Sequence, residues 1–412
     1  MSSEFSDKRV ALVTGYYPTP VLARTFIELA KRGKAAAGRL VFIFIYWWKD
    51  VPRPPFLDEL ERAGIEVKEF TILGPMRQGL ARGWIKSPFD WFSFNWNAFG
   101  EARSYFQRER FHLVLFLHVP WHSELFLTLA ARMAMTPYVV KLFTSTQLPV
   151  PIYRRLAHFL TAQMLTRALV ISPEAKWFLW YVGYWTPRYS IIRSLGVVGR
   201  QFQRSDANPQ AVREEFKIPP GAPVVGAVCR IDPVKGQKYF IEAVAQLKSD
   251  FPEIRGLLVG GQYDPAEPWE KELREQAAAL GVADRVIFCG MREDVENFYA
   301  AIDLLVHPAL YDLFPYSILE AMSMELAVVA TRVGGIPDMV SPGETGILVP
   351  PKDSVALAIA MKQLLLNPDQ RREMGRKGRE RVLARWTMDR AFDDTLALFR
   401  DALAGHPRRL YP

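Results

Sequence analysis

PVVGAVCRIDPVKGQKYFIEAVAQL (223–247) passes from an unbroken apolar stretch, through a turn containing Pro and Gly, into a segment with helical spacing. A strand without polar alternation is covered on both faces, which places it inside a parallel sheet flanked by helices. The alternation continues downstream. RGLLVGG (255–261), RVIFCG (285–290), DLLVHP (303–308) and AVVAT (327–331) read as strands, with LVPP (348–351) as an edge. PWEKELREQAAALG (268–281), VENFYAAI (295–302) and residues 318–326 read as the helices between them. The N-terminal half carries the same rhythm: strands RVALVTGYY (9–17), LVFIFIYWW (40–48), IEVKEFTIL (65–73), FHLVLFLHV (111–119) and YVVKLFT (138–144), with helices at 21–33 and 55–64. The fold class is α/β, with two parallel-sheet domains in series, joined near the aperiodic stretch 195–212. A ligand is expected at the carboxyl ends of such strands.

A chain of 412 residues, half of it hydrophobic and 23% charged, is long enough for two or three cores and has no collagen-like or disordered bias. Two cysteines, Cys229 and Cys289, make no disulfide framework and point to a reducing, cytoplasmic setting. The first residues, MSSEFSDKR, lack a secretory pattern, and the longest apolar run, 40–48, is too short for a membrane-spanning helix. A net charge of +8 favours anionic company such as phosphorylated ligands or acidic headgroups. No nucleic-acid-binding signature accompanies it, so nucleic acid is not expected as a partner.

Two segments interrupt the rhythm. Residues 74–110 hold Trp84, Phe89, Trp91, Phe92, Phe94, Trp96 and Phe99 among Arg77, Arg82, Lys86, Arg103 and Arg108, and 176–189 is similarly aromatic. Rings beside cations suit a peripheral surface on the inner face of an anionic membrane. The other reading is that the rings fill the core of a long insertion. After Asn367-Pro368 the tail is helical and strongly charged.

Chemistry concentrates in two places. Arg230 and Lys235 stand at and just after the end of the 223–231 strand, and Gly236 opens the next helix, an arrangement that suits phosphate oxygens. In YDLFPYSILEAM (311–322), Asp312 stands eight positions before Glu320, and the apolar run around Glu320 argues that this carboxyl is buried with a partner. Cations at one end and hydroxyl-binding acids at the other describe a nucleoside diphosphate sugar.

CRIDPVKGQKYFIEAV, RVIFCGMREDVENFYAAIDLLVHPALYDLFPYSILEAM and VVATRVGGIPDMVSPGETGILVPPKD together resemble the donor domain of retaining GT-B glycosyltransferases, the glycosyl transferases group 1 gathered in family 4. The resemblance covers most of 222–354. It implies two Rossmann-like domains facing across a cleft: 1–198 binds the acceptor, 199–385 binds the donor, and a helical tail, 386–412, packs back toward the first. By the same resemblance Arg230 and Lys235 grip the donor diphosphate, Glu320 holds the ribose hydroxyls and Asp312 faces the donor sugar. Gly236 and the Leu313, Phe314, Pro315 and Tyr316 segment line the pocket, and His118, with His122 as a rival, approaches the sugar from the first domain. No cofactor and no metal is implied; a UDP- or GDP-linked sugar is the co-substrate, and a hydroxyl, in one reading lipid-linked, is the acceptor.

Departures are visible. Asp312 replaces the family's first glutamate, Glu325-Leu326-Ala327 stands where a Gly-x-Pro follows the motif helix, and YYPTPV (16–21) replaces a glycine-rich loop. They keep two other readings open: a non-catalytic sugar-nucleotide-binding protein, and a nucleotide-sugar epimerase on the same architecture.

Overall fold

The computed structural model describes residues 5–15, 20–46, 52–71, 88–119, 121–143, 152–170, 179–180, 183–184, 189–191, 202, 204–262 and 266–403. The chain divides into two units, Met1–Leu195 with Ala391–Pro412, and Gly196–Arg390. The boundaries therefore lie a few residues from those expected at 198/199 and 385/386, and the tail divides at Arg390/Ala391.

The first unit contains a parallel sheet of β1 (Phe5–Thr14), β2 (Ala37–Tyr46), β3 (Glu66–Thr71), β4 (Leu113–His118), β5 (Tyr138–Phe143), β6 (Arg167–Val170) and β7 (Tyr189–Ile191). Its order is β3-β2-β1-β4-β5-β6-β7, so the direction of winding reverses between β1 and β4. Val10–Val13, Val41–Ile45 and Leu113–Leu117 are buried, which is why they read as unbroken apolar runs. β6 and β7 were not anticipated, since four and three residues carry too little pattern.

The aromatic insertion contains a 22-residue helix, Pro88–Glu109. It buries Phe99, Ala102, Tyr105 and Phe106 and leaves Trp96 52% exposed. Core filling thus accounts for part of the aromatic content. Residues 72–87 of that insertion lie outside the described residues, as do most of 176–189 and YYPTPV up to Thr19. In the C-terminal stretch, the Arg32 guanidinium lies 5.1 Å from the Phe392 ring centroid. Among the described residues no helix is long and apolar enough to cross a membrane.

Inside the first unit a charge is buried. Lys141 on β5 pairs with Glu124 of helix Trp121–Met133, both almost without exposure. Tyr184 donates to Glu124 and accepts from Lys141 at 3.1 Å, and His158 Nδ1 lies 2.9 Å from the same hydroxyl. Burial pushes the Lys141 ammonium below its ordinary value, while Glu124 opposes that shift.

The second unit is built on β8 (Val224–Val228), β9 (Arg255–Val259), β10 (Val286–Gly290), β11 (Leu304–His307), β12 (Ala327–Thr331) and β13 (Gly346–Val349). The pairings between these strands are parallel, in the order β10-β9-β8-β11-β12-β13, so the reversal falls between β8 and β11. Its core joins β8, β9, β11 and β12 to helices Gln237–Leu247 and Ser354–Leu366.

The expected 318–326 helix is Tyr316–Ser323. It begins directly after Pro315, whose fixed φ suits a helix entrance. It ends because Glu325 turns left-handed (φ 60°), with Leu326 N bonded to Ala321 O at 3.0 Å. Helix Pro368–Arg385 lies against this turn, and a Cβ on its Gly375 would sit 1.9 Å from Glu325 O.

Replacing Lys141 with Met should lower unfolding free energy by about 3–5 kcal/mol, because Glu124 is left charged and buried without its counter-ion. Adding Glu124→Gln in that background should recover part of the loss, measured by urea unfolding.

Candidate active site

The reversal between β8 and β11 leaves a gap at the carboxyl ends of two adjacent strands, and the predicted residues of the second unit gather there. β8 leads through Cys229 and Arg230 into a 3-10 turn, Pro233–Lys235, capped by Asp232, whose side chain accepts from Val234 N at 2.9 Å. Gly236 then adopts φ 70° and packs against β11's exit, where a Cβ would lie 2.1 Å from Pro308 O. Only glycine fits that approach. Leu310 N donates to Val234 O at 2.7 Å and ties the two loops together.

This closeness brings Lys235 and Asp312 into direct contact, Nζ to Oδ2 at 2.6 Å, with the side chains 18% and 11% exposed. The sequence reading set cations and acids at opposite ends of a ligand. Here one cation and one acid form an ion pair. Phe314 N donates to Asp312 Oδ1 at 3.3 Å, and Gly335 N donates to the Asp312 carbonyl at 3.0 Å. Burial alone would raise the Asp312 carboxyl, but Lys235 and the hydrogen bond from His307 outweigh it and hold the group well below the usual range. Asp312 is therefore an ionised acceptor at neutral pH.

Arg230 is more open, 40% exposed, and pairs with Asp232 through Nε at 3.1 Å and Nη2 at 2.9 Å. Gln237 Nε2 bonds the Arg230 carbonyl at 2.7 Å and fixes the loop's path. Burial pushes the neighbouring Cys229 thiol up to about 11, so it supplies no thiolate nucleophile at neutral pH.

Glu320 is buried at 5% exposure, and its Oε2 accepts from Tyr299 OH at 2.6 Å. Burial raises its carboxyl to about 7, with the Tyr299 bond pulling the other way. Leu313, Phe314 and Pro315 are buried, and Tyr316 stands edge-on to Phe314 at 5.4 Å between centroids. The helix that starts at Tyr316 has no side-chain cap at its N-terminus. Four residues of this cluster were not singled out from sequence: His307, Asp232, Gln237 and Tyr299. His307, within the DLLVHP run and at the end of a switch-point strand, carried the one usable signal.

His118 ends β4, with its Cα paired to Thr14 across the first unit's own reversal point. Its side chain and that of His122 lie outside the described residues. Asp294 stands at the N-cap position of helix Val295–Ala301 without a side-chain cap bond, and is bound instead by Arg292 at 2.9 Å.

Residues 209–381 match the family Glycosyl transferases group 1. That match falls within the second unit, Gly196–Arg390. The D-inositol 3-phosphate glycosyltransferase of Corynebacterium urealyticum is 33% identical over 192 residues, 46% of this chain and 45% of that protein. The chain thus matches about half the length of such curated relatives. Over nearly the whole chain the fold is that of solved GT-B structures. A glycosyltransferase from Rickettsia africae superposes with a TM-score of 0.76 at 18% identity, covering 97% of this chain and 99% of its own. Anabaena Alr3699/HepE, solved in complex with UDP, gives 0.75 at 19% identity, covering 96% of this chain and all of its own. Within the matched residues Gly236, Lys235 and Asp312 meet at the gap between β8 and β11.

Lys235→Ala should destabilise the second unit by about 3 kcal/mol by stranding the Asp312 carboxylate. Arg230→Ala, at a more exposed pair, should cost under about 1 kcal/mol. Lys235→Ala with Asp312→Asn should recover most of the first loss in chemical denaturation. Glu320 binds its proton more tightly folded than unfolded, so its contribution to stability is full below pH 4.5 and is lost as pH rises toward 7. The wild-type protein should lose up to about 3 kcal/mol across that window relative to Glu320→Gln, read from paired unfolding curves.

Proposed function

We propose that this chain is a retaining, metal-independent glycosyltransferase that moves a sugar from a nucleoside diphosphate donor, UDP- or GDP-linked, to a hydroxyl acceptor. The observation that carries the reading is the Lys235–Asp312 pair beside Arg230 at the switch point of the second unit, within the residues that match Glycosyl transferases group 1. The pair offers a cation and an ionised acceptor within one hydrogen bond of each other. A donor's diphosphate and sugar hydroxyls require that adjacency where the glycosidic bond joins them.

In the reaction the bond between the anomeric carbon and the β-phosphate oxygen breaks, and its electron pair passes to that oxygen. Arg230 and Lys235 supply charge to stabilise the departing diphosphate, a role that fixed cations in a partly buried site fill well. The acceptor oxygen attacks the anomeric carbon on the face that the phosphate leaves, and its proton passes to a phosphate oxygen. Configuration is thereby kept. Asp312, held ionised, accepts a hydrogen bond from a donor-sugar hydroxyl. Glu320 accepts from the ribose hydroxyls in its ionised form, and the loops 233–236 and 312–316 line the donor. Binding of UDP by the similar Anabaena structure supports a uridine donor among the two.

A lipid-linked acceptor at the inner face of a membrane is the finer part of the proposal. Trp96 at 52% and Trp180 at 63% exposure, within the two aromatic and basic segments, support it. A protein acting there would work from the cytoplasmic side.

Titration calorimetry with UDP and GDP, then a hydrolysis and transfer screen over UDP- and GDP-sugars, tests the core reading. Arg230→Ala should cut turnover by about 10²-fold or more with folding preserved; wild-type turnover in that variant would overturn the diphosphate assignment. Flotation with anionic vesicles tests the membrane part, and absence of binding would remove it.

A further inference from the structure

We propose that His307 is the positioning residue for Asp312, fixing which carboxylate oxygen is offered to the donor sugar; this rests on the reading of the second unit as a donor site. His307 ends β11 at the reversal point and is 1% exposed, so its imidazole takes no part in solvent contacts. Its main-chain position is pinned by Thr331 Oγ1, which lies 3.5 Å from His307 O and also donates to Ala309 O at 2.5 Å. Both ring nitrogens face groups of the site. Nε2 is 3.1 Å from Asp312 Oδ2, and Nδ1 is 3.5 Å from Ser317 Oγ in the first turn of the motif helix.

Burial keeps this imidazole neutral at physiological pH, with its pKa below the ordinary value despite the carboxylate beside it. A neutral ring donates from one nitrogen only. A carboxylate can only accept, so Nε2 carries the proton and Nδ1 accepts from the Ser317 hydroxyl. Asp312 Oδ2 then receives two donors, His307 Nε2–H and Lys235 Nζ–H. Oδ1 receives one weak bond from Phe314 N at 3.3 Å. The crowding of Oδ2 leaves Oδ1 as the oxygen with capacity for a sugar hydroxyl.

The need for such a device follows from length. Aspartate reaches one methylene less far than glutamate and rotates freely about χ2. Lys235 alone supplies a point charge that either oxygen satisfies equally. A ring held at both nitrogens supplies direction and selects one rotamer. His307 touches no reacting atom in this account; it acts through Asp312, so its removal should slow the chemical step and leave nucleotide binding alone.

The test uses the full chain, with UDP-glucose and GDP-mannose as donors and UDP and GDP as binding probes. His307→Ala should lower kcat by about tenfold or more while the affinity for UDP or GDP and the donor KM stay within about twofold. His307→Gln, whose side-chain amide donates from nearly the same place as Nε2, should restore most of kcat. In an Asp312→Asn background, His307→Ala should cost nothing further. Unchanged kcat in His307→Ala, no rescue by Gln, or additive losses would each overturn the proposal. If the wild-type chain turns over neither these donors nor any other UDP- or GDP-sugar of the screen, the glycosyltransferase reading fails by itself, and imidazole nitrogen NMR of the unsubstituted protein then decides. An Nε2–H tautomer from pH 6 to 8 supports His307's role toward Asp312, and an Nδ1–H tautomer overturns it.

Discussion

The Asp312 carboxylate joins three pieces of chain, one of them 77 positions away. It is bonded to Lys235 from the loop after β8, to His307 at the end of β11, and to the amide of Phe314 at the entrance of the motif helix. Its own carbonyl receives Gly335 N from beyond β12. Gly334, with φ 51°, makes room for this, since a Cβ there would lie 1.9 Å from that carbonyl. The loops that follow β8, β11 and β12 are thus organised around one charge. A buried ion pair of this kind adds little net stability, because desolvation offsets most of the attraction. What it contributes is register: the loops have one arrangement in which the charge is matched.

The strands were legible because a sheet covered on both faces has to be written in apolar residues. VVGAV, LLVH and AVVAT admit little else, and all three are buried. β6 and β7 escaped because Arg167–Val170 and Tyr189–Ile191 are too short for any period to show. The motif helix was misplaced by two residues at its start, since Pro315 as an entrance signal was outweighed by the apolar run after it. Its end was misplaced because Glu325 takes a left-handed turn that composition normally assigns to glycine. The Gly-x-Pro departure therefore puts a residue with a side chain at a left-handed turn.

The site was legible as a list and not as an arrangement. Arg230, Lys235, Asp312 and Glu320 could be named because charged residues at strand exits and inside apolar runs need a reason. That Lys235 and Asp312 touch, 77 positions apart, follows from strand order β8-β11, which no local pattern encodes. His307 was hidden by the opposite problem. A single histidine at a strand end is commonly a core residue, and only the proximity of Asp312 Oδ2 to its Nε2 separates the two cases. In the first unit the Lys141–Glu124–Tyr184–His158 cluster was equally silent, being assembled from strand β5, two helices and the segment around Tyr184.

The pairing of Arg230 with Asp232 has an effect on how an anion would be received. In the free protein both cations of the site already rest against carboxylates, so neither swings in solvent waiting for a partner. An arriving diphosphate therefore encounters side chains whose rotamer freedom has been surrendered during folding, and the entropic toll of ordering them is absent. It also meets a local field that two aspartates have partly neutralised. Long-range attraction is weakened accordingly, and association should depend on ionic strength less steeply than the chain's overall charge would suggest. Selection then falls to short-range geometry, where a ligand must be worth more to Arg230 and Lys235 than the acids beside them.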